Sequence, residues 1–252
     1  MSDYERTFEA RGHLYNEGTR LCPEARATER RLLIDLIDCR PGQLVGDLLA
    51  GGGYLGTGLR ERVGDTGNVV CLEPSAVFAA GIGPGLLPVM AAPEALALTD
   101  ASLDHAASLA ALHHLDNKQP YVEEAFRVLR PGGRFAVAEA RDGSATARFL
   151  NGAVDRLTET GHAGRFVAEG ELATRLARAG FVDVSERYHE FTWDFPDHAT
   201  MVRYCHVLFG LVKARPDEVA RVLDGDLGVA VDADGAHLRW SLVYAVGTRP
   251  DA

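Results

Sequence analysis

The sequence predicts a single α/β domain, doubly wound around a mostly parallel seven-stranded sheet with an antiparallel edge strand. Three observations predict it. Short apolar stretches of strand length alternate with helical patterns from residue 41 onward, as they do in parallel βαβ units. A glycine-rich turn, Gly51-Gly52-Gly53, joins the first strand to the helix that follows it. A helical insertion separates the last two strands, which favours antiparallel pairing at one edge.

The composition is that of an acidic globular protein. Of the 252 residues, 46% are hydrophobic and 25% are charged, and the net charge is −10. This balance excludes a mostly disordered chain, and no apolar run reaches the roughly 18 to 20 residues that a membrane span needs. The acidic charge disfavours nucleic acid as a partner. The charged start of the chain, MSDYERTFEARGH, is unlike a signal peptide, so we expect a cytoplasmic protein.

The cysteines predict neither a redox pair nor a metal site. Their spacing contains no CxxC motif, so reduced, buried thiols are expected and no metal is assigned. Nothing in the sequence fixes the oligomeric state, and a homodimer is one open alternative.

The elements follow from apolar spacing and from the residues that break it. Pro23 suits the first turn of a helix, and Pro41-Gly42 ends the helical pattern of the first forty residues. Later on, the run from Arg130 to Gly133 ends a helix, and Pro93 ends a short strand. The predicted strands are 43–49, 67–73, 86–91, 103–109, 134–140, 181–195 and 237–247, and the predicted helices are 54–63, 119–129, 169–180 and an insertion at about 198–227.

Two features of the first βαβ unit indicate a ligand. A glycine turn at the start of a helix lets backbone N–H groups approach an anionic group. Glu73 ends the second strand about twenty residues later, where a carboxylate can accept hydrogen bonds from two ribose hydroxyls. A surface carboxylate is the alternative interpretation of Glu73.

Three further segments follow in a fixed order: Asp100-Ala-Ser-Leu-Asp-His105, then Ala111-Leu-His-His-Leu115, then Ala125-Phe-Arg-Val-Leu-Arg-Pro-Gly-Gly-Arg-Phe135. Together with the glycine turn, this succession resembles the small-molecule branch of the class I S-adenosylmethionine-dependent methyltransferases, over about residues 25 to 190. The resemblance implies S-adenosyl-L-methionine as cofactor and S-adenosyl-L-homocysteine as product. It also implies that residues 1–40 are a helical lid, 41–195 the cofactor-binding core, 196–236 a helical insertion, and 237–252 the last strand and tail of one domain, 1–252.

The resemblance also implies which residues hold the cofactor. Gly51 and Gly53 would border the methionine moiety, Glu73 would bind the ribose, and Ser108 and Leu109 would close over the cofactor. The full set of expected cofactor-binding residues is Asp47, Ala50, Gly51, Gly53, Glu73, Pro74, Ser75, Ala92, Ser108 and Leu109.

Two positions depart from the family pattern. Leu49 stands where the family usually has glycine, so a side chain enters a turn that normally needs none. Ala92 stands where the family often has an acid that contacts the adenine amine, and it cannot accept that hydrogen bond.

The acceptor site is expected from segments outside the core. Tyr15 lies on the lid, Trp193 ends the sixth strand, and Arg203 and His206 share one face of the insertion. The expected substrate-binding residues are therefore Tyr15, Trp193, Arg203 and His206. The expected catalytic residues are His113, Tyr15 and His206, of which the two histidines titrate near neutral pH. For each of these residues, packing or a solvated helix face is the alternative.

The sequence thus favours a methyltransferase enzyme that acts on a small molecule, in secondary metabolism. Methyl transfer needs mainly alignment of the acceptor, so the lack of a compact catalytic triad fits it. An enzyme of this fold that transfers no methyl group, such as a cyclase, isomerase or lyase, is the alternative that Leu49 and Ala92 favour. A non-catalytic or regulatory module is a third.

Overall fold

The computed structural model describes residues 3–251 and confirms the predicted α/β sheet. Two helices precede the sheet, α1 (Asp3–Leu21) and α2 (Ala27–Ile37). The elements that follow are β1 (Leu44–Leu48), α3 (Tyr54–Val63), β2 (Asn68–Leu72), α4 (Ala76–Ala79), β3 (Leu87–Val89), β4 (Leu103–Leu109), a 3₁₀ turn (Leu112–His114), α5 (Gln119–Val128), β5 (Leu129–Glu139), α6 (Ala145–Phe149), a π-helical turn (Leu150–Val154), α7 (Asp155–Leu157), α8 (Glu171–Ala179), β6 (Val182–Phe195), α9 (His198–Phe209), α10 (Pro216–Asp226), β7 (Val229–Asp232) and β8 (Gly235–Thr248).

The strands lie in the order β3-β2-β1-β4-β5-β8-β6, and β7 pairs with β8. The pairs within β1 to β5 are parallel, whereas β8 runs antiparallel to β5, β6 and β7. The predicted antiparallel pairing at one edge of a mostly parallel sheet is therefore confirmed. The order reverses at β1 and β4, and such a switch point leaves a crevice at the carboxyl ends of the strands.

Side chains alternate between two apolar cores, one on each face of the sheet. On β5, Ala136 and Ala138 belong to the core beneath α2, α3 and α9, whereas Phe135 and Val137 belong to the core beneath α5 and α8. This period of two is the one that strand geometry requires. Small residues on one face leave room for the helices that carry the site.

The structure adds elements that the sequence did not indicate. β5 begins at Leu129 rather than at residue 134, because Leu129 pairs with Leu103 before the register shifts. The single predicted insertion is two helices, since Gly210 ends α9 in a left-handed conformation at φ 65°. β7 and the π-helical turn were not predicted.

Helix α1 packs closely over the core at two glycines. A Cβ on Gly12 would lie 3.0 Å from Cα of Phe78, and a Cβ on Gly18 would lie 2.6 Å from Cα of Leu208. Glycine at these positions lets α1 lie directly against α4 and α9. Within residues 3–251, no helix is both long and apolar enough to cross a membrane.

A buried ion pair joins α2 to the sheet. Nε of Arg26 donates to Glu29 at 3.1 Å, and the Glu29 side chain has no solvent exposure. The other Glu29 oxygen accepts from Nε1 of Trp193 at 2.7 Å, and the Glu29 carbonyl accepts from the Tyr244 hydroxyl at 3.1 Å. One carboxylate residue therefore fixes α2 against both β6 and β8.

We expect Glu29→Gln to lower the free energy of unfolding by about 3 to 5 kcal/mol, because it leaves the buried Arg26 guanidinium without its counter-charge. Urea denaturation followed by circular dichroism measures this loss. The exposed Glu61 on α3 provides the matched control, since Glu61→Gln should change stability by less than about 0.5 kcal/mol. Equal stability of Glu29→Gln and Glu61→Gln would contradict the conclusion that Glu29 neutralises the buried Arg26.

Candidate active site

Two adjoining cavities open at the carboxyl ends of the parallel strands, where open α/β sheets bind their ligands. The first cavity, of about 250 Å³, lies over the turn after β1. The second cavity, of about 80 Å³, lies between α1, the 3₁₀ turn and the aromatic ends of β6 and β8. The two cavities are neighbours, because five residues line both: Phe8, Tyr15, Arg26, Ala110 and His114.

The turn after β1 forms one wall of the first cavity. Leu49 and Gly51 line it, and both have left-handed backbone, with φ of 57° and 54°. A Cβ on Gly51 would lie 2.6 Å from Cζ of Phe78, so glycine is needed beneath that ring. Gly53 lies off the wall and caps α3 at φ 81°. Leu49 therefore adopts a backbone conformation that glycine would adopt without strain.

Asp47 supports this turn from below. Its carboxylate accepts a hydrogen bond from the backbone N–H of Gly56 at 2.7 Å, and its side chain is buried while still reaching the cavity wall. Burial raises the pKa of Asp47 from its usual 3.8 to about 7. Asp47 thus links β1 to the first turn of α3.

Glu73 is fully enclosed at the end of β2. One carboxylate oxygen accepts from the Tyr4 hydroxyl at 2.7 Å and from the Gly51 N–H at 2.8 Å, and the other accepts from the Ser75 N–H at 2.9 Å. Burial raises the pKa of Glu73 from its usual 4.5 to about 7. The hydroxyl that donates a hydrogen bond to Glu73 in the structure therefore belongs to Tyr4 of α1.

Other residues of α1 cover the neighbouring surface. Glu9 accepts hydrogen bonds from the Ser75 hydroxyl and the Ala76 N–H, both at 3.1 Å. The Phe8 ring stacks on the Phe78 ring, with centroids 4.5 Å apart. Helix α1 is thus closed over the end of β2 and the start of α4.

Cationic side chains line the opposite side of the first cavity. Arg20, Arg26 and Arg30 all reach its wall. The Arg26 guanidinium also donates to the Tyr15 hydroxyl and lies 5.0 Å from the centre of the Tyr54 ring. Arg26 is already paired with Glu29, and Arg30 lies 3.6 Å from Glu24, so the group favours an anion mainly through Arg20.

Aromatic rings form one wall of the second cavity. The centroids of Trp193 and Trp240 lie 4.3 Å apart, and Phe209 stacks on both at 6.1 Å. The Trp193 indole is oriented by its hydrogen bond to Glu29. This wall suits a small, flat, apolar group.

Histidines form the other wall of the second cavity. Nδ1 of His113 lies 2.8 Å from the buried carboxylate of Glu139, and Nδ1 of His162 lies 2.9 Å from the side-chain oxygen of Asn151. Burial, aided by the neighbouring rings, lowers the pKa of His114 well below its usual range and that of His162 to about 2. These two imidazoles are therefore neutral at physiological pH.

Some expected site residues lie at the cavities. Tyr15 lines both of them, and His113 and Trp193 line the second. The expected residues that line the first cavity are Tyr15, Asp47, Ala50, Gly51 and Leu109.

Other expected residues lie elsewhere. Glu73 and Ser75 are buried and bonded as described, Pro74 is half-buried and Ala92 is exposed. Neither cavity is lined by Gly53, Glu73, Pro74, Ser75, Ala92 or Ser108.

Arg203 and His206, which were expected at the acceptor site, line neither cavity. Arg203 is exposed, His206 is half-buried, and neither reaches a cavity wall. Helix α9 instead turns Leu208 and Phe209 toward the second cavity. The buried apolar residues of α9 determine how the helix is oriented. Arg203 and His206 lie outside this buried set, so they do not face the second cavity.

Sequence reasoning missed several residues of the site. The buried pair of Arg26 and Glu29 carries a signal, since opposite charges three residues apart at a helix start can pair. His162 and its partner Asn151 carry no such signal, because loop packing brings them together. Phe78 and Tyr4 were not predicted as site residues either. Their signal was an aromatic residue on the lid and another after the second strand.

Residues 47–137 match a family model described as a methyltransferase domain. An uncharacterized 37.1 kDa protein of a Streptomyces fradiae transposon is 31% identical over 169 residues, which are 63% of this chain and 49% of that protein. The ubiquinone/menaquinone biosynthesis C-methyltransferase UbiE of Hydrogenovibrio crunogenus is 33% identical over 119 residues, which are 44% of this chain and 47% of that enzyme. The chain thus spans about half the length of these relatives.

Solved structures show the same fold. An S-adenosylmethionine-dependent methyltransferase of Thermotoga maritima superposes with a TM-score of 0.64 at 18% identity, over 98% of this chain and 99% of that one. The [4+2]-cyclase SpnF superposes with a TM-score of 0.57 at 16% identity, over 88% of this chain and 80% of that one. At these identities, the likeness is one of fold alone.

The raised pKa of Asp47 makes a prediction about stability. An acid whose pKa is 3.8 when unfolded and about 7 when folded destabilises the protein progressively as the pH rises between these values. Asp47→Asn mimics the protonated acid, so its stability relative to the wild type should increase with pH across this range, by roughly 1.4 kcal/mol per unit of pKa difference.

Urea denaturation of both proteins at several pH values measures this difference. The comparison cancels the opposite trend that comes from the buried histidines, whose lowered pKa values make stability rise with pH. Asp224→Asn, at an exposed position on α10, is the control and should show no such trend. A constant difference between Asp47→Asn and the wild type would contradict the raised pKa.

Proposed function

We propose that this chain, which belongs to the class I S-adenosylmethionine-dependent methyltransferases through its domain at residues 47–137, transfers a methyl group to a small molecule. S-adenosyl-L-methionine would occupy the first cavity and leave as S-adenosyl-L-homocysteine. The observation that carries this proposal is that the two cavities lie side by side and share five wall residues. A cavity with arginines that suit the carboxylate of the cofactor's methionine moiety adjoins an aromatic and histidine-lined cavity that suits an acceptor.

The residues of the first cavity fit the cofactor. Gly51 brings backbone without a side chain to the cavity wall, and the arginines of the same cavity suit a carboxylate. The buried Glu73 carboxylate already accepts a hydroxyl hydrogen bond, from Tyr4, and a ribose hydroxyl offers the same donor. Tyr4 must withdraw for that exchange. When bound, the cofactor supplies an activated methyl group.

The protein's contribution is then mainly to align the acceptor. Tyr15 presents a ring to both cavities, and Arg26 holds the Tyr15 hydroxyl in place. An acceptor that must lose a proton needs a base, and His113 is the side chain placed for this role, since Glu139 orients its ring. Trp193 would pack against the acceptor.

The second cavity supports a small acceptor. Its volume is about 80 Å³ and its wall contains two tryptophans, which suits a flat apolar group better than a macromolecule. Secondary metabolism and a cytoplasmic location are part of this proposal. A homodimer stays a prediction.

Leu49 favours a second candidate function, an enzyme of this fold that transfers no methyl group. Leu49 places a branched side chain on the wall of the first cavity at a position with φ of 57°, where glycine would leave more room. The structural likeness to SpnF, whose name is that of a cyclase, illustrates that one fold carries different chemistries. Isothermal titration calorimetry with S-adenosylmethionine and S-adenosylhomocysteine separates the candidates. Binding of both, with methyl transfer to a panel of small phenols and thiols, supports the first candidate, and binding of neither contradicts it.

Glu73→Gln tests the ribose assignment. The change keeps the shape of the side chain but removes the charge, and charge-assisted hydrogen bonds contribute roughly 1.5 to 3 kcal/mol each. We expect S-adenosylmethionine to bind at least about tenfold more weakly. Glu61→Gln is again the control and should bind as the wild type does. Unchanged affinity in folded Glu73→Gln protein would remove Glu73 from the cofactor site.

Tyr4→Phe tests the competition for Glu73. The variant retains the ring but loses the hydroxyl that bonds to Glu73, so a ribose hydroxyl no longer has to displace it. With a net hydrogen bond of about 0.5 to 1.5 kcal/mol, calorimetry should show affinity for S-adenosylmethionine about two- to tenfold higher. Tyr188→Phe, on β6 and away from both cavities, is the control. Weaker binding by Tyr4→Phe would mean that Tyr4 holds the cofactor instead of competing with it.

A further inference from the structure

Three histidines meet in the wall of the second cavity. His113 and His114 belong to the 3₁₀ turn after β4, and His162 comes from the loop before α8. One ring nitrogen from each lies within 4.8 Å of the corresponding nitrogens of the other two. The centroid of His113 lies 4.1 Å from that of His114 and 5.2 Å from that of His162. Three imidazoles therefore pack closely together, with no hydrogen bonds between them.

The orientation of His113 is set by its hydrogen bonds to the buried Glu139. Glu139 has no solvent exposure, and its two oxygens accept hydrogen bonds from the backbone N–H groups of His113, at 3.0 Å, and Ala140, at 2.7 Å. Both oxygens act as acceptors in these bonds, so Nδ1 of His113 is the donor in its bond to Glu139. The tautomer that this bond selects has its lone pair on Nε2.

The orientation of His162 is set in the same way by an amide. The Asn151 amide N donates to the Gly164 carbonyl at 2.8 Å, and its oxygen accepts from the Gly164 N–H at 2.8 Å. These two bonds fix which end of the amide is the oxygen, so Nδ1 of His162 must donate to it. Nε2 of His162 therefore also carries a lone pair. Asn151 lies on the π-helical turn, and such turns occur often at functional sites.

His114 completes the group as the adjustable member. Its ring lies edge-on to Tyr4 and Phe8 of α1, and it lines both cavities. Its ring nitrogens make no hydrogen bond to any residue within 3–251, so the ring can rotate without losing one. Gly164 leaves room for the other two rings, since a Cβ there would lie 2.8 Å from Cε1 of His162 and 3.0 Å from Cδ2 of His113.

We propose that His113, His114 and His162 bind one divalent transition-metal ion, with Zn²⁺ as the best match, and that its remaining coordination position faces the second cavity. Imidazole nitrogens are ligands that Zn²⁺ prefers, and three protein ligands with one open position is the arrangement of catalytic zinc sites. The bonds from His113 to Glu139 and from His162 to Asn151 are the outer contacts by which metal-binding histidines are commonly oriented.

The geometry of the site suits an ion. Zinc binds imidazole nitrogen at about 2.0 to 2.1 Å, so nitrogens within 4.8 Å of one another need to move inward to share one ion. His114, whose ring no hydrogen bond within residues 3–251 holds, supplies most of that movement, and the other two rings need only small shifts within their hydrogen bonds. An acceptor with an oxygen or sulfur donor would bind at the open position, beside the first cavity. With His113 as a ligand, deprotonation of that donor would depend on the lowered pKa of a metal-bound group instead of on His113 as base. The metal site reverses the expectation of no metal, which was drawn from cysteine spacing, and it does not depend on methyl transfer.

Zinc binding by the whole protein tests the inference. The protein is dialysed against a chelator and titrated with Zn²⁺ in competition with a chromogenic chelator, and metal content is measured by elemental analysis. We expect about one equivalent in the wild type, and Co²⁺ should give the visible absorption of a tetrahedral site. His162→Gln should bind at least about tenfold more weakly, and Asn151→Ala should show a loss of about 10- to 100-fold.

His198→Gln is the matched control, because His198 is exposed at the start of α9 and lies on neither cavity. Circular dichroism checks that each variant is folded. No Zn²⁺ uptake by the wild type would overturn the inference, as would equal affinity in His162→Gln and His198→Gln. Calorimetry with S-adenosylmethionine on the same wild-type protein is independent, so a failure of cofactor binding is distinguishable from a failure of metal binding.

Discussion

The ion pair between Arg26 and Glu29 positions both cavities. Glu29 ties α2 to Trp193 on β6 and to Tyr244 on β8, and Arg26 extends from the same pair to Tyr15 on α1. One buried charge pair therefore sets the aromatic wall of the second cavity and the ring shared by both. Replacement by apolar residues could preserve the packing, but it would lose the guanidinium that faces the ligand space. The pair thus joins the stability of the fold to the shape of the site.

The closed position of α1 follows from the need of the buried Glu73 carboxylate for hydrogen-bond donors. Glu73 is buried, and a buried carboxylate needs donors, which Tyr4, Gly51 and Ser75 supply. Two of these donors are backbone N–H groups that stay in place, and only Tyr4 can leave with the helix. The side chain that would bind the ribose is therefore kept satisfied without a ligand.

The sheet was predictable because its signals are local. Apolar runs bounded by glycine and proline located β1, α3, β2, β4 and α5 within a few residues. The direction in which a helix faces is a tertiary property, so the spacing of Arg203 and His206 identified a shared face but not where it points. His162 and Asn151 lie eleven residues apart in chain order, and only the loop that folds back over the 3₁₀ turn brings them together with His113.

The sharing of Phe8 and Tyr15 between the two cavities has a kinetic consequence. Both residues belong to α1, so a displacement of this one helix changes access to both cavities together. A ligand that entered the second cavity first and drew α1 closed would obstruct the way into the first cavity. Ligands of the two cavities would accordingly bind in a compulsory order, with the ligand of the first cavity entering first and leaving last.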